Sequence, residues 1–153
     1  MPWQAFEDAI RRYHLIFNTL GGRPFFENPR SMEIGKKTWV IAEGYIPSWS
    51  YRPSPQLVSH ETACILNATD NDAHVDIMIF FANKEPAGPY KITVPARRTR
   101  QLRFNDLKYP KPIPEDTEYS AVIISDVPIV VQHTKLDSRQ PENSLLTTLA
   151  YAE

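Results

Sequence analysis

The sequence of 153 residues has little cysteine, little glycine and almost no excess charge of either sign. Its one cysteine, Cys64, excludes an internal disulfide framework and suits the reducing conditions of the cytoplasm. A net charge of −1 provides no overall basic footprint, so binding to nucleic acid is not expected. The chain also lacks the run of ~20 apolar residues that a membrane-spanning helix needs. Charged side chains interrupt its beginning, where a signal peptide would be apolar. We therefore expect a cytoplasmic protein.

Proline, in contrast, is abundant, with fourteen prolines against only five glycines. Because an interior proline costs a helix about 3 kcal/mol, this number excludes a helical bundle. Prolines fit strand ends and loops instead. A chain of this length buries roughly 70% of its unfolded surface in one domain, so it needs neither disulfides nor a structural metal.

The first part of the chain differs from the rest in its hydrophobic spacing. Apolar residues recur in steps of three and four, as along one face of a helix, at Trp3, Phe6, Ile10, Tyr13, Phe17 and Leu20. Glu7 and Asp8 each precede an arginine by four residues, which stabilises a helix. We predict an amphipathic helix and a linker over residues 1–31, followed by a separate domain over residues 32–153.

From about residue 38 onward the apolar period changes to two, which is typical of β-strands. The pattern predicts eight strands: Thr38–Ala42, Glu61–Asn67, Val75–Ala82, Tyr90–Val94, Thr99–Phe104, Tyr119–Ser125, Ile129–Thr134 and Leu145–Tyr151. Turn signals separate them, including Asp126-Val127-Pro128 between the sixth and the seventh. Short strands at this spacing predict an antiparallel β-sandwich or barrel, and we expect the sandwich. The sixth and seventh strands are apolar on both faces, so we expect a homo-oligomer to cover the second face.

Catalytic and metal-binding motifs are absent from the sequence. The four histidines show no zinc-ligand spacing, Gly-x-Ser-x-Gly does not occur, and we expect neither a metal nor another cofactor. A glycosidase would need two carboxylates about 5–10 Å apart, and Glu43 and Glu61 are the two acids that fit best. The alternative is that each acid forms a salt bridge with an arginine or caps a loop. A hydrolase that uses Glu43 and Glu61 thus remains one of the alternatives.

Two further segments are candidates for binding. Arg97-Arg98-Thr99-Arg100, with Arg103, suits a carboxylate, a phosphate or a sugar hydroxyl, or else forms a solvated, ion-paired face. The segment from Gly44 to Pro55 carries Tyr45 and other aromatic residues between prolines. Such a loop either lines a contact with a small molecule or protein, or covers one end of the sandwich.

Several segments together resemble the sensory rhodopsin transducer family. They include Trp39-Val40-Ile41-Ala42-Glu43-Gly44-Tyr45-Ile46-Pro47, Ser59-His60-Glu61-Thr62-Ala63-Cys64, Arg103-Phe104-Asn105-Asp106-Leu107 and Val127-Pro128-Ile129-Val130-Val131-Gln132-His133-Thr134. Leu136-Asp137-Ser138-Arg139-Gln140 follows near the end. The resemblance runs from about residue 34 to residue 152, with the segments in matching order.

The resemblance implies a β-sandwich of jelly-roll type that assembles as a homotetramer. It implies a non-enzymatic sensor that binds a small polar ligand, similar to carbohydrate-binding modules, and passes a signal to a partner. The alternative is an adaptor of a rhodopsin-type membrane receptor with no ligand of its own. The candidate residues for a ligand pocket or a subunit interface are Glu43, Tyr45, His60, Glu61, Arg97, Arg98, Asn105, His133, Asp137 and Arg139.

Residues 1–31 lie outside the resemblance, which begins just after Met32. Either they form an added segment whose apolar stripe docks on the sandwich or on a partner, or Met32 is the true start. Both alternatives stay open from the sequence.

Overall fold

The computed structural model describes residues 34–51, 57–140, 142 and 144–153. The strands are β1 (Lys36–Tyr45), β2 (His60–Asn67), β3 (Ala73–Phe81), β4 (Ala87–Val94), β5 (Arg98–Arg103), β6 (Glu118–Asp137), β7 (Ser144–Leu149) and β8 (Tyr151–Ala152). A 3-10 turn over Phe104–Asp106 follows β5. In this part of the chain no helix is long and apolar enough to cross a membrane. The helix that we predict over residues 3–20 lies outside the described residues.

The strands form two antiparallel sheets that share β6. The first sheet has the order β4-β3-β6-β1-β8, and the second has the order β5-β2-β6-β7. The prediction of an all-β, antiparallel, sandwich-like fold is therefore confirmed. The jelly-roll type stays a prediction.

One long strand replaces two predicted ones. We expected Tyr119–Ser125 and Ile129–Thr134 as separate strands with a turn at Asp126-Val127-Pro128, but β6 runs unbroken over twenty residues. The expected turn is wrong because the chain changes sheets at this point without reversing. Lys36 pairs with Ile129 and Thr38 with Ile124, so β6 has three more residues than β1 between these pairs. Such a bulge bends a strand and accepts a proline, which has no N–H for the ladder.

The core lies between the two sheets and follows the predicted period of two. Val75, Ile77 and Ile79 of β3 are at most 1% exposed. From β6, Ala121 and Ile123 join them, and further buried side chains come from both sheets. Because alternate side chains of a strand point to opposite faces, each sheet contributes one face to the core and leaves the other outside.

The outer face of the second sheet is free of charge on β2, β6 and β7. The register places Leu66 beside Val130, Cys64 beside Gln132 and Leu149, and Thr62 beside Thr134 and Thr147. His60, Leu136 and Leu145 complete this row of outward-facing side chains. Leu66, Leu145 and Leu149 are 41%, 69% and 64% exposed. We call this surface the uncharged face.

Candidate functional site

A fully buried carboxylate lies at the centre of the candidate site. Alternation along β2 points Glu61 to the core side, together with Ala63 and Ile65, and leaves it 0% exposed. A buried carboxylate is costly unless hydrogen-bond donors replace its water. Glu61 therefore needs partners from both sheets.

Four donors surround the Glu61 carboxylate. The backbone N–H of Tyr45 donates to Oε1 at 2.8 Å, and the Tyr119 hydroxyl donates to Oε2 at 2.7 Å. Nε2 of His133 lies 3.2 Å from Oε2. The Lys135 ammonium lies 3.4 Å from Oε1. Glu61 thus joins the end of β1 and both halves of β6 to β2.

These contacts decide the ionisation of the site. Burial raises the pKa of Glu61, but the hydrogen bonds from His133, Tyr119 and Tyr45 together hold this pKa below its usual value. The same carboxylate has the opposite effect on its partner, since burial and the charge of Glu61 raise the pKa of Tyr119. The stable state is therefore an ionised Glu61 with a protonated Tyr119.

Neighbouring residues hold the carboxylate and its donors in position. The side-chain amide of Asn105 donates to the Ser59 carbonyl at 3.1 Å and accepts from the Glu61 backbone N–H at 3.3 Å. A Cβ atom at Gly44 would lie 2.4 Å from the Tyr119 ring, so glycine is required for this close packing. These contacts fix both where β2 begins and where the Tyr119 hydroxyl points.

Lys135 connects the buried carboxylate with the protein surface. Its ammonium also lies 3.4 Å from the Glu43 carboxylate, whose side chain is 85% exposed. The Lys135 ammonium lies 6.0 Å and the Arg139 guanidinium 5.6 Å from the centre of the Tyr45 ring. Both are cation–π distances. Charge therefore alternates outward from Glu61 to Lys135 to Glu43.

Arg139 is held beside Tyr45 by a carboxylate on β6. It donates to Asp137 through two nitrogens, at 3.0 Å and 2.6 Å. The hydrogen bond from Arg139 lowers the pKa of Asp137. The Tyr45 hydroxyl donates to Asp116 at 3.0 Å, and Asp116 also accepts from the Ser48 backbone N–H. Both ends of the Tyr45 side chain are thus positioned by charged groups.

The loop after β1 is tied to the end of β6 by serine hydroxyls. Ser59 accepts from the Ser138 backbone N–H at 3.0 Å, and its own N–H donates to Ser50 at 2.8 Å. The rings of Trp49 and Tyr51 are each 56% exposed. Trp49 and Tyr51 therefore present their rings to solvent, while the backbone at Ser59 and Ser138 is fixed at the edge of the site.

Two cavities adjoin the cluster, on either side of the Glu43–Lys135 pair. One, which we call the Tyr45 cleft, has a volume of about 620 Å³, and its lining includes Tyr45, Phe80, Glu118 and Arg139. The other, the β1–β7 groove, has a volume of about 490 Å³, and its lining includes Ile41, Asp137 and Leu146. Glu43 and Lys135 line both cavities.

The structure brings most of the predicted site residues together. The residues at or beside this cluster are Glu43, Tyr45, Glu61, Asn105, His133, Asp137 and Arg139. Glu43 and Glu61, the acids nominated for hydrolysis, share Lys135. This contact favours the interpretation that the two acids form salt bridges over the interpretation that they are a hydrolytic pair. The base is a lysine rather than the expected arginine.

Three predicted residues lie elsewhere. His60 points to the outer side of β2, with Nδ1 at 2.7 Å from the Val58 carbonyl and 3.0 Å from the Arg103 guanidinium. Arg97 pairs with Asp70, and Arg98 bonds the Arg97 carbonyl. Arg98 stands opposite Asn67, six residues along β2 from Glu61, which corresponds to about 20 Å.

Sequence reasoning missed three members of the cluster, Tyr119, Lys135 and Asp116. A signal for Lys135 was present, because Val131, His133 and Lys135 alternate onto one face of β6. Polar residues at consecutive core-facing positions indicate a buried polar network. In the part of the chain that the structure describes, no three His, Cys, Asp or Glu side chains are placed to hold a metal ion.

A family model and a solved structure identify one family. Residues 34–152 match the family model described as Anabaena sensory rhodopsin transducer. Among solved structures, the chain is 62% identical to the Anabaena sensory rhodopsin transducer, over 68% of this chain and 100% of that chain, with a TM-score of 0.63. It is 32% identical to Thermotoga maritima 1070, over 78% of this chain and 97% of that chain, with a TM-score of 0.68. The search of curated proteins gives no match.

The buried cluster predicts a specific pH dependence of stability. Glu61→Gln removes the charge that four donors stabilise, so we expect the free energy of unfolding at pH 7 to fall by about 2–4 kcal/mol. The pKa of Glu61 in the folded state lies below the unfolded value of 4.5. Its contribution is therefore fully present above pH ~4.5 and is lost as pH falls through the folded pKa.

Urea titrations of wild type and Glu61→Gln at pH 7 and pH 3 measure this effect. The difference in the free energy of unfolding between wild type and Glu61→Gln should be smaller at pH 3 than at pH 7. Glu43→Gln is the matched control, because it removes an exposed carboxylate and should cost no more than about 0.5 kcal/mol. An equal gap for Glu61→Gln at both pH values would show that its ionisation does not stabilise the fold.

Proposed function

Because this chain belongs to the sensory rhodopsin transducer family, we propose that it is a cytoplasmic, non-enzymatic transducer of a rhodopsin-type membrane receptor. The observation that carries this proposal is its 62% identity to the whole length of the Anabaena sensory rhodopsin transducer. We propose further that it acts as a homo-oligomer and that it binds a small polar ligand. Glu61 supports a non-enzymatic role, since a carboxylate without exposed surface could reach a substrate only after a rearrangement.

Direct binding tests the receptor proposal. Anabaena sensory rhodopsin in lipid nanodiscs should bind the protein saturably in calorimetry, with a dissociation constant in about the micromolar range typical of transient complexes. Empty nanodiscs of the same lipid are the control. Absence of binding, or equal binding to empty nanodiscs, would contradict the role as a receptor partner.

The Tyr45 cleft is the proposed ligand site. Its volume of about 620 Å³ falls in the range of small-molecule sites. Phe80, which is 44% exposed, offers an apolar ring face, and Tyr45 lines the same cleft. Arg139 and Glu118 add a donor and an acceptor for hydroxyl groups. Rings beside charged hydrogen-bonding groups fit a carbohydrate-like ligand.

A panel of neutral monosaccharides, followed by NMR chemical shifts, tests this site. We expect at least one sugar to shift the amide signals around Tyr45 and Lys135. Arg139→Gln should weaken its binding about tenfold, since a charged hydrogen bond contributes about 1.5–3 kcal/mol. Arg100→Gln, on β5, is the matched control and should change nothing. Loss of binding in both variants, or no shifts with any sugar, would argue against the cleft as a sugar site.

The uncharged face supports self-association. It extends across three strands without a charged side chain and leaves Leu145 and Leu149 more than 60% exposed. Exposed leucines on an uncharged face of this kind mark an interaction site, and a second copy of the chain buries them symmetrically. We propose this face as a subunit interface of a homotetramer, the assembly that the resemblance implies.

Light scattering after size exclusion tests the assembly. Wild type should have a mass near four times 17.6 kDa. Leu145→Lys places a charge in the interface and should shift the protein to smaller species. Thr93→Lys adds the same charge at an exposed position of β4, in the other sheet, and should leave the mass unchanged. A wild-type mass near 17.6 kDa would refute the assembly, and an unchanged Leu145→Lys mass would place the interface elsewhere.

A further inference from the structure

One edge of the first sheet is only partly covered. β8 pairs with β1 at Trp39 and Val40 alone. From Ile41 to Tyr45, β1 has no strand on this side among the residues that the structure describes. A bulge between Ile41 and Gly44 leaves Ala42 and Glu43 exposed. An uncovered edge is a template on which another extended chain can add a strand.

The β1–β7 groove runs beside this edge and has room for side chains. The edge forms one wall, from Val40 to Glu43, and β7 with the following residues forms the other. Leu146 and Tyr151, on that second wall, are 61% and 66% exposed. Side chains of an added strand would alternate between the apolar wall and the rim.

The groove favours a cationic occupant. Its charged lining consists of the carboxylates of Glu43 and Asp137 and the ammonium of Lys135, and Arg139 already pairs with Asp137. Lys135 is already shared with Glu61, while the Glu43 side chain is 85% exposed. A lysine or arginine on the added strand would therefore find an accessible carboxylate at Glu43.

We propose that the β1–β7 groove binds an extended, lysine- or arginine-bearing segment of the membrane receptor as an added strand beside β1. This inference rests on the proposed role as a receptor partner. Cytoplasmic loops of membrane proteins are enriched in lysine and arginine, so the receptor presents the required charge on the side where this chain would meet it. Backbone hydrogen bonds to β1 supply affinity, and the contacts with Leu146 and Glu43 supply selectivity.

Synthetic peptides test the chemistry of the groove. The probe is a labelled ten-residue peptide of alternating valine and lysine, and the matched peptides carry glutamate for lysine or N-methylated alternate amides. In fluorescence anisotropy the lysine peptide should bind at least about tenfold more tightly than either matched peptide. Hydrogen exchange should show new protection of β1 amides at Ala42 or Glu43, since the Tyr45 N–H already donates to Glu61. Equal binding of the N-methylated peptide would overturn strand addition.

Variants of the chain locate the binding. Leu146→Lys places a like charge in the groove and should weaken the lysine peptide about tenfold or more. Glu43→Gln, at an exposed position that does not endanger folding, should weaken it several-fold. Gln101→Lys adds the same charge as Leu146→Lys on β5 and should leave the affinity unchanged. Equal loss in Leu146→Lys and Gln101→Lys, or no loss in Glu43→Gln, would overturn the proposed groove.

The receptor nanodiscs separate this inference from the proposed function. If wild type and Leu146→Lys bind the receptor equally, the groove is not the binding site for the receptor, and the proposed role as a receptor partner is still supported. If the lysine peptide binds wild type but the receptor does not, strand addition at the groove is supported and the receptor as its source is rejected.

Discussion

The fold depends on one buried carboxylate, whose hydrogen bonds to water must be replaced by hydrogen bonds from protein groups. Glu61 receives hydrogen bonds from the end of β1 and from the first half of β6, and it contacts His133 and Lys135 in the second half. Because removal of one partner leaves a buried charge uncompensated, each of these contacts constrains the others. The two sheets are thus joined by β6 along the backbone and by Glu61 through side chains. This second link explains why a polar group occupies a position where alternation calls for an apolar one.

The same constraint shapes the surface above it. Lys135 must turn one face of its ammonium to Glu61, so only the remaining donors reach Glu43. Tyr45 has its backbone fixed by Glu61 and its ring flanked by Lys135 and Arg139. The Tyr45 cleft and the β1–β7 groove therefore share a wall whose charges are set from inside the core. A ligand that draws Lys135 or Glu43 toward one cavity changes the electrostatics of the other, which is a physical route from ligand binding to partner binding.

The sequence predicts the strands well because burial enforces a period of two, and Val75, Ile77 and Ile79 follow it without exception. It fails at Asp126-Val127-Pro128, since a proline two residues after an aspartate fits a turn as well as a bulge, and only the pairing partners decide. In the site, seven of ten predicted residues converge, but only Glu43, Glu61 and Tyr45 were selected by the residues themselves, and the resemblance to a family selected the other four. Tyr119 was missed because it occupies an ordinary strand position. Only the register, which places Ala63 opposite His133, and the bend of β6 bring Tyr119, His133 and Glu61 together.

Alternate side chains of β7 contribute to two different surfaces, the uncharged face and the β1–β7 groove. Leu145 and Thr147 lie on the uncharged face, Leu146 and Thr148 line the groove, and Leu149 borders both. A slip of one residue would exchange the two sets, so both surfaces require the same register. The bond between the hydroxyls of Thr134 and Thr147, at 2.6 Å, helps to fix it. Self-association on one side of β7 would hold the strand in place and keep the opposite wall of the groove formed. Assembly and partner binding are then separable by mutation at Leu145 and Leu146, which each belong to one surface alone, but they are coupled through Leu149 and through the position of one edge strand.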